Sequence, residues 1–381
     1  MTQGRVTSID FGRLLVRASV VLVCGLLPLV TLWYAISPVA FGDRQAVDFH
    51  YNYYYAAEDV RAGENFYPSE GFVVRGDNDL IVDYVYPPLL ALLTVPWTFI
   101  PIGLAEVLFQ LVLVGVVAAT LAVLGVRDWR CYGLAFLWPP VTDGITVGNV
   151  SLLLGLAAAL TWRYRDRATL AGAAVGVSIA TKIFLWPLTV WLAATRRVAA
   201  AAWSVGIACA VIIVSWAIVG FRGMADYPDL VQRLSDRMDE RGYTLYALGV
   251  DLGLGPGPSR ALWAALALAT LAGILFVARA GNERGAFVLA LAATIAFSPI
   301  VWLHYFSLLL VAVAIVQPRL GYLWFLGLPL QLLVSTGFDN GPTYQTIGVL
   351  VAAGLTVVLA FRETSEKRLV TPVSSPAAAR S

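Results

Sequence analysis

Apolar runs recur along almost the whole chain, separated by short polar joints, and this leaves few folds open to it. Backbone surrounded by lipid must satisfy its own hydrogen bonds, so runs of this kind form helices or closed barrels. Continuous runs rather than alternating ones select helices. With 59% hydrophobic and 13% charged residues and a mean hydropathy of +0.76, the chain lies well outside the soluble range. We read a single all-α, polytopic membrane domain over 1–361 and a disordered cytoplasmic tail over 362–381, where Ser, Thr, Pro and Ala dominate.

Apolar segments are expected at 14–36, 85–100, 103–125, 148–162, 169–181, 183–195, 198–220, 260–279, 285–298, 301–316, 320–336 and 343–361, about twelve transmembrane helices. Several are shorter than the ~20 residues a straight crossing needs. Short spans are tolerated where their ends line a cavity. The first follows Arg5, Arg13 and Arg17 and is too long for a signal-peptide core, so it reads as an uncleaved span.

Arginines set the expected orientation. Arg13, Arg17, Arg163, Arg165, Arg167, Arg196, Arg197, Arg279, Arg284, Arg319, Arg362, Lys367 and Arg368 can all be cytoplasmic. Both termini then lie inside, and the two long loops, 37–84 and 221–260, lie outside. The scheme requires that 127–147, which holds Pro139-Pro140, make no net crossing.

Each long loop carries a surface-helix pattern. Asp48 before 49–62 and Gly63 after it have the chemistry of helix caps. From Asp229, Leu230, Leu234 and Met238 repeat every four residues among charges, an amphipathic helix suited to the lipid surface. Gly249, Gly253, Gly255 and Gly257 mark a mobile connector after it.

Other chemistries are poorly served. Cys24, Cys131 and Cys209 show no metal or redox spacing and read as small buried hydrophobes. With only His50 and His304 there is no histidine-rich metal cluster, and we expect no metal and no cofactor. Asp77-Asn78-Asp79 imitates an acidic metal-binding triplet, but it is also ordinary turn chemistry. A net charge of +2 gives no reason to expect a nucleic-acid partner. Gly172 and Gly176 read as a close helix contact.

The polar residues that remain are few. Asp48 would sit at the membrane boundary among Tyr51, Asn52 and Tyr55; on capping preference alone it is a helix N-cap. Glu58 and Asp59 follow on the same helix, Asp59 on a face similar to that of Asp48. Lys182 is one of only two lysines and joins two short apolar segments. His304 follows Ser298-Pro299, and Asp143 and Asn149 bracket the end of another span.

Four stretches carry a family resemblance: Asp48-Phe49 through Gly63-Glu64-Asn65-Phe66-Tyr67 to Tyr86-Pro87-Pro88; Pro139-Pro140 to Gly148-Asn149; Ala171-Gly172 through Gly176 to Thr181-Lys182 and Pro187; and Ser298-Pro299-Ile300-Val301-Trp302-Leu303-His304-Tyr305. In order and spacing they resemble the GT-C superfamily of polytopic glycosyltransferases, and within it glycosyltransferase family 87, which uses polyprenyl-phosphate sugars. The family more often has Gly-Gln where this chain has Gly148-Asn149, and His-His where it has His304-Tyr305.

The resemblance implies transfer of a sugar, mannose or arabinofuranose, from a polyprenyl-monophosphate donor to a glycolipid or glycan acceptor at the external face of the bilayer, with inversion. It casts Asp48 as the general base. Lys182, with His304 and Arg222, would then bind the donor phosphate, and Tyr51, Asn52, Tyr55, Asp59 and Asn149 would contact the acceptor or sugar. A transporter or lipid-sugar flippase shares the outline of many spans with both ends inside. Against it, the polar residues gather in external loops rather than at span centres.

Overall fold

The computed structural model describes residues 11–67, 84–332 and 341–370, and every regular element among them is helical. Asp77-Asn78-Asp79 and the last part of the tail, 371–381, lie outside the described residues.

The chain opens with α1 (Phe11–Val21) and α2 (Leu27–Ala40), which run on through a π-helical turn, Leu22–Leu26. A second π-helical turn, Asp48–Tyr54, leads into α3 (Tyr55–Ala62), closed by Gly63 in the left-handed conformation. Then come α4 (Pro88–Thr94), α5 (Ile102–Val123), α6 (Trp129–Phe136), α7 (Pro139–Val147), α8 (Ser151–Arg163), α9 (Ala168–Lys182), α10 (Trp186–Ala194) and α11 (Val198–Ile218). The amphipathic α12 (Tyr227–Met238) precedes α13 (Leu245–Asp251), α14 (Pro256–Arg279), α15 (Glu283–Ala296), α16 (Leu308–Val316) and α17 (Thr343–Val370).

Gly12–Ala40, Ile102–Val123, Val198–Ile218, Pro256–Arg279 and Thr343–Ser365 are long and apolar enough to cross a membrane. Shorter apolar helices, among them Ser151–Arg163 and Ala168–Lys182, stand between them. Leu29, Ile213, Leu268 and Phe276 on the long helices are exposed, whereas α16 is buried along its whole length. The molecule thus turns apolar side chains outward on its perimeter and packs others within, as a multi-pass membrane protein does. The expected close contact at Gly172 and Gly176 is present: a Cβ on either would meet the backbone of α11, at 2.8 Å from the Ala200 oxygen or 2.7 Å from the Ser204 oxygen.

The two ends of the bundle differ in chemistry. At one end Glu283 Oε1 lies 2.8 Å from both Arg165 Nε and Arg197 Nη1, while Arg197 also reaches Asp166 at 2.8 Å. Asn282 donates to Thr364 Oγ1 and Leu320 N donates to Asp128 there, so most of the arginine-bearing joints share this end. At the other end lie the Asp48 turn, the starts of α5 and α8, and the end of α9.

This arrangement corrects the expected path in two places. The 85–100 segment does not run from one end to the other. Tyr67 bonds the Tyr86 carbonyl at its start, Tyr54 the Ile100 carbonyl at its finish, and Arg61 the Thr98 carbonyl between. Proline-started α4 and the 3-10 turn Val95–Phe99 fold it back on the Asp48 loop. Conversely 127–147 does traverse: α6 starts at the arginine end, and α7 finishes beside Asp48. Pro139-Pro140 breaks this passage into two short helices, which hid it as a span. The two corrections cancel, and the two long loops remain at the same end.

Smaller expectations also shift. The segment after α12 is helical through α13 rather than a mobile connector, with Gly249 packed on Ser259. Cys24 and Cys131 are buried as expected, but Cys209 is exposed on α11.

Candidate active site

Asp48 is the first residue of the π-helical turn, not a cap before a regular helix. Its carboxylate bonds side chains instead. Oδ1 accepts from Asn52 Nδ2 at 3.1 Å and Oδ2 accepts from Asn149 Nδ2 at 2.6 Å. The wider π turn brings Asn52, four residues on, under Asp48 and turns Tyr51, Tyr53 and Tyr54 inward, where all three are buried. Both amides hold the carboxylate in one orientation and leave each oxygen a free lone pair.

Asn149 is itself fixed. Its Oδ1 accepts from Ser151 N at 2.8 Å and from Ser151 Oγ at 2.6 Å, which directs its amino group at Asp48. Its backbone N–H closes α7 on the Gly144 carbonyl at 2.8 Å. Between them Gly148 adopts φ +71°, and a Cβ there would lie 2.8 Å from Phe49 Cβ. Only glycine lets the end of α7 approach the Asp48 turn this closely.

Lys182 ends α9. The chain reverses at once through Ile183, a β-branched residue at φ 29°, a costly conformation of the sort found at functional sites. Lys182 Nζ lies 3.9 Å from the centre of the Tyr305 ring, with Tyr86 and Phe184 at 5.4 and 5.6 Å, and 3.3 Å from Ser151 Oγ. Ser151 thus links the Asn149 amide to the lysine. Hydrogen bonds through Asn149 and Ser151 therefore run from Asp48 to the lysine. A carboxylate and an ammonium face one site walled by aromatic rings.

His304, beside Tyr305, is buried; its Nδ1 lies 3.0 Å from Asp143 Oδ2, while Nε2 has no partner among the described residues. Sequence proposed the two residues separately, and the fold makes them a pair. Tyr51 and Tyr55 surround His50, with ring centres 4.6 and 5.2 Å from it. Tyr55 hydroxyl bonds His50 Nε2 at 3.2 Å. Asp59 lies half-buried toward the end of α3, where its carbonyl accepts from Glu64 N. Arg222 donates to the Gly63 carbonyl and ties the two long loops together. Asp48, Asn52 and Asn149 therefore come together with Lys182 through Ser151, and His304 adjoins them beside Tyr305.

One supporting residue escaped the sequence reading. Glu106, the single ionisable residue of α5, is buried and accepts from Ala46 N at 2.8 Å and pairs with His50 Nδ1 at 2.9 Å. It anchors both the entry to the π turn and its third residue. A lone acid in an apolar span was the available signal. Tyr305, noted only as a departure from a motif, proves to be the ring under Lys182. Among the described residues no three His, Cys, Asp or Glu side chains are grouped to hold a metal ion.

Fold and site together define a multi-pass helical membrane protein with a carboxylate–lysine site at one end of its bundle. Residues 84–304 match the model of glycosyltransferase family 87, more than half of the chain, and the chain belongs to that family.

Two curated relatives bear the same name, polyprenol-phosphate-mannose-dependent alpha-(1-2)-phosphatidylinositol pentamannoside mannosyltransferase. The protein from Mycobacterium tuberculosis (strain CDC 1551 / Oshkosh) is 29% identical over 248 residues, covering 60% of this chain and 56% of the relative. That from Mycolicibacterium smegmatis (strain ATCC 700084 / mc(2)155) is 26% identical over 250 residues, covering 60% and 59%. The chain thus spans little more than half the length of either. No solved structure matches it.

Proposed function

We propose that this chain is a membrane glycosyltransferase that moves one sugar from a polyprenyl monophosphate to a hydroxyl of a glycolipid or glycan acceptor, with inversion. The names of the relatives favour mannose over arabinofuranose as that sugar, and favour a phosphoinositide-type glycolipid as acceptor. The observation that carries the reading is the Asp48 carboxylate, locked by Asn149 at 2.6 Å and joined through Asn149 and Ser151 to Lys182 beside the Tyr305 ring.

In this reading the acceptor hydroxyl donates to a free lone pair of Asp48. As its oxygen attacks the anomeric carbon, the proton passes to Asp48, and such assistance is typically worth ~10² to 10⁴ in rate. The bond from the anomeric carbon to the phosphate oxygen breaks, and its electron pair leaves with polyprenyl phosphate. Lys182, held over the Tyr305 ring, stabilises that charge as it develops. His304 Nε2, buried and without a partner among the described residues, is a further polar contact, able to accept from an acceptor hydroxyl while Nδ1 donates to Asp143. The tyrosines offer stacking faces for the pyranose. About twelve spans, both termini in the cytoplasm and the site on the external face complete the reading; support comes from the arginine-rich end opposite the site.

The test is to present the purified chain in nanodiscs with a panel of polyprenyl-phosphate sugars and a mannosylated phosphoinositide acceptor. Release of polyprenyl phosphate that depends on both substrates supports the reading. Donor carried across the bilayer without such release would favour a flippase.

A further inference from the structure

At the opposite end of the bundle a cavity of about 560 Å³ opens between the end of α5, the 124–127 joint and the end of α8. Arg127, Arg163 and Arg165 line it with Tyr132 and Trp162, and no carboxylate does. Arg165 is partly neutralised, with Nε 2.8 Å from Glu283, and its guanidinium lies over the Trp162 ring at 4.4 Å. Arg127 and Arg163 are exposed, and their side chains have no hydrogen-bond or ion-pair partner among the described residues. Both helices end here, and each C-terminal dipole carries roughly half a negative charge. Together they offset about one of the two unpaired cations. The excess positive charge wants an anion.

We propose that this cavity binds a phosphate group, the polar head of an anionic lipid or a free phosphate. Its level supports the choice. It sits at the end of α5, whose 22 residues span ~33 Å, about the thickness of a bilayer core. Tyr132 and Trp162 line it, the aromatic types that collect at a membrane interface. Basic pockets between helices at this depth recognise lipid headgroups. Along α8 it is ~20 Å from the Asp48–Lys182 site, too far to share a ligand's phosphate with it.

The test uses the delipidated full chain in neutral detergent, titrated with phosphatidylglycerol or phosphatidylcholine and read by native mass spectrometry. Wild type should bind one phosphatidylglycerol well ahead of phosphatidylcholine. Arg127→Gln/Arg163→Gln should weaken that binding roughly tenfold or more, since each cation near an anionic lipid contributes about a factor of five. The unchanged Asp48 site gives this variant its folding control: thermal stability and donor-lipid binding should match wild type. Arg196→Gln/Arg279→Gln, at neighbouring joints outside the cavity, should bind phosphatidylglycerol as wild type does. Displacement by millimolar inorganic phosphate names free phosphate as the ligand; its failure to compete names the lipid. Equal phosphatidylglycerol binding by wild type and the cavity variant, or equal loss in both double variants, would overturn the site.

Discussion

Asn149 Nδ2 donates to Asp48 Oδ2 at 2.6 Å across 101 residues of sequence, and this bond joins the end of α7 to the first loop. It also separates two roles that sequence leaves entangled. A capping aspartate spends its oxygens on helix N–H groups, whereas both oxygens of Asp48 bond side-chain amides.

Asp48→Asn should therefore leave a folded protein that still binds donor lipid while turnover falls by ~10² or more, because the amide cannot take the acceptor's proton. Steady-state transfer assays with a thermal-unfolding control read this directly. Near-normal transfer would remove Asp48 from the chemistry and make Glu58 and Asp59 the next carboxylates to test.

Gly148 sets how closely α7 approaches Asp48. Gly148→Ala forces a Cβ into a left-handed conformation, costing ~1–2 kcal/mol, and against Phe49, where overpacking costs ~1–3 kcal/mol. The expected outcome is a lower unfolding temperature and a drop in kcat as Asn149 moves away from Asp48. Wild-type kcat in a stably folded Gly148→Ala would show that the Asn149–Asp48 bond does not matter for turnover.

Much of the site was legible because polar residues are scarce in this chain. Asp48, Lys182, Asn149 and His304 stood out as isolated polar groups at apolar boundaries, and the fold brings them within one region. What escaped depends on features with no local signature. A π-helical turn has no sequence period of its own, so 48–54 read as part of a regular helix, and Asp48 as its cap. Glu106 was absorbed into a strongly apolar span, because its partners, Ala46 N and His50, are some sixty residues earlier in the chain. The bundle path failed at 85–100 and 127–147 for a related reason: hydropathy records that a segment is buried, not which end it returns to.

Glu106 should behave as a positioning residue. Glu106→Gln keeps an acceptor for Ala46 N, so its kcat and stability should stay close to wild type. Glu106→Ala strands that N–H and the His50 ring in a buried setting, at ~1–3 kcal/mol for each unsatisfied group. Its kcat should fall ~10-fold to 10²-fold as the Asp48 turn shifts, with donor KM little changed. Rescue by glutamine but not alanine is the signature; equal losses in both would mean that the charge of Glu106, not its hydrogen bonds, is what the site needs.

Lys182 carries the donor half of the proposal, and two readings of it diverge under substitution. A lysine at a membrane boundary can serve simply by extending its ammonium to lipid headgroups. This one lies over the Tyr305 ring with Ser151 Oγ at 3.3 Å, and Ser151 in turn bonds the Asn149 amide that holds Asp48. Lys182→Met keeps most of the side-chain volume against Tyr86 and Phe184 and deletes only the charge. If Lys182 stabilises the departing phosphate, kcat/KM for the polyprenyl-phosphate sugar should fall by ~10² to 10³, the range seen when one such stabilising donor is removed. Acceptor KM should barely move, because the acceptor meets Asp48 instead. Kinetics with each substrate varied in turn, alongside thermal unfolding in the same nanodiscs, distinguish the outcomes. An unchanged kcat/KM for donor in a stable Lys182→Met protein would return this residue to a headgroup contact and shift the phosphate role to His304.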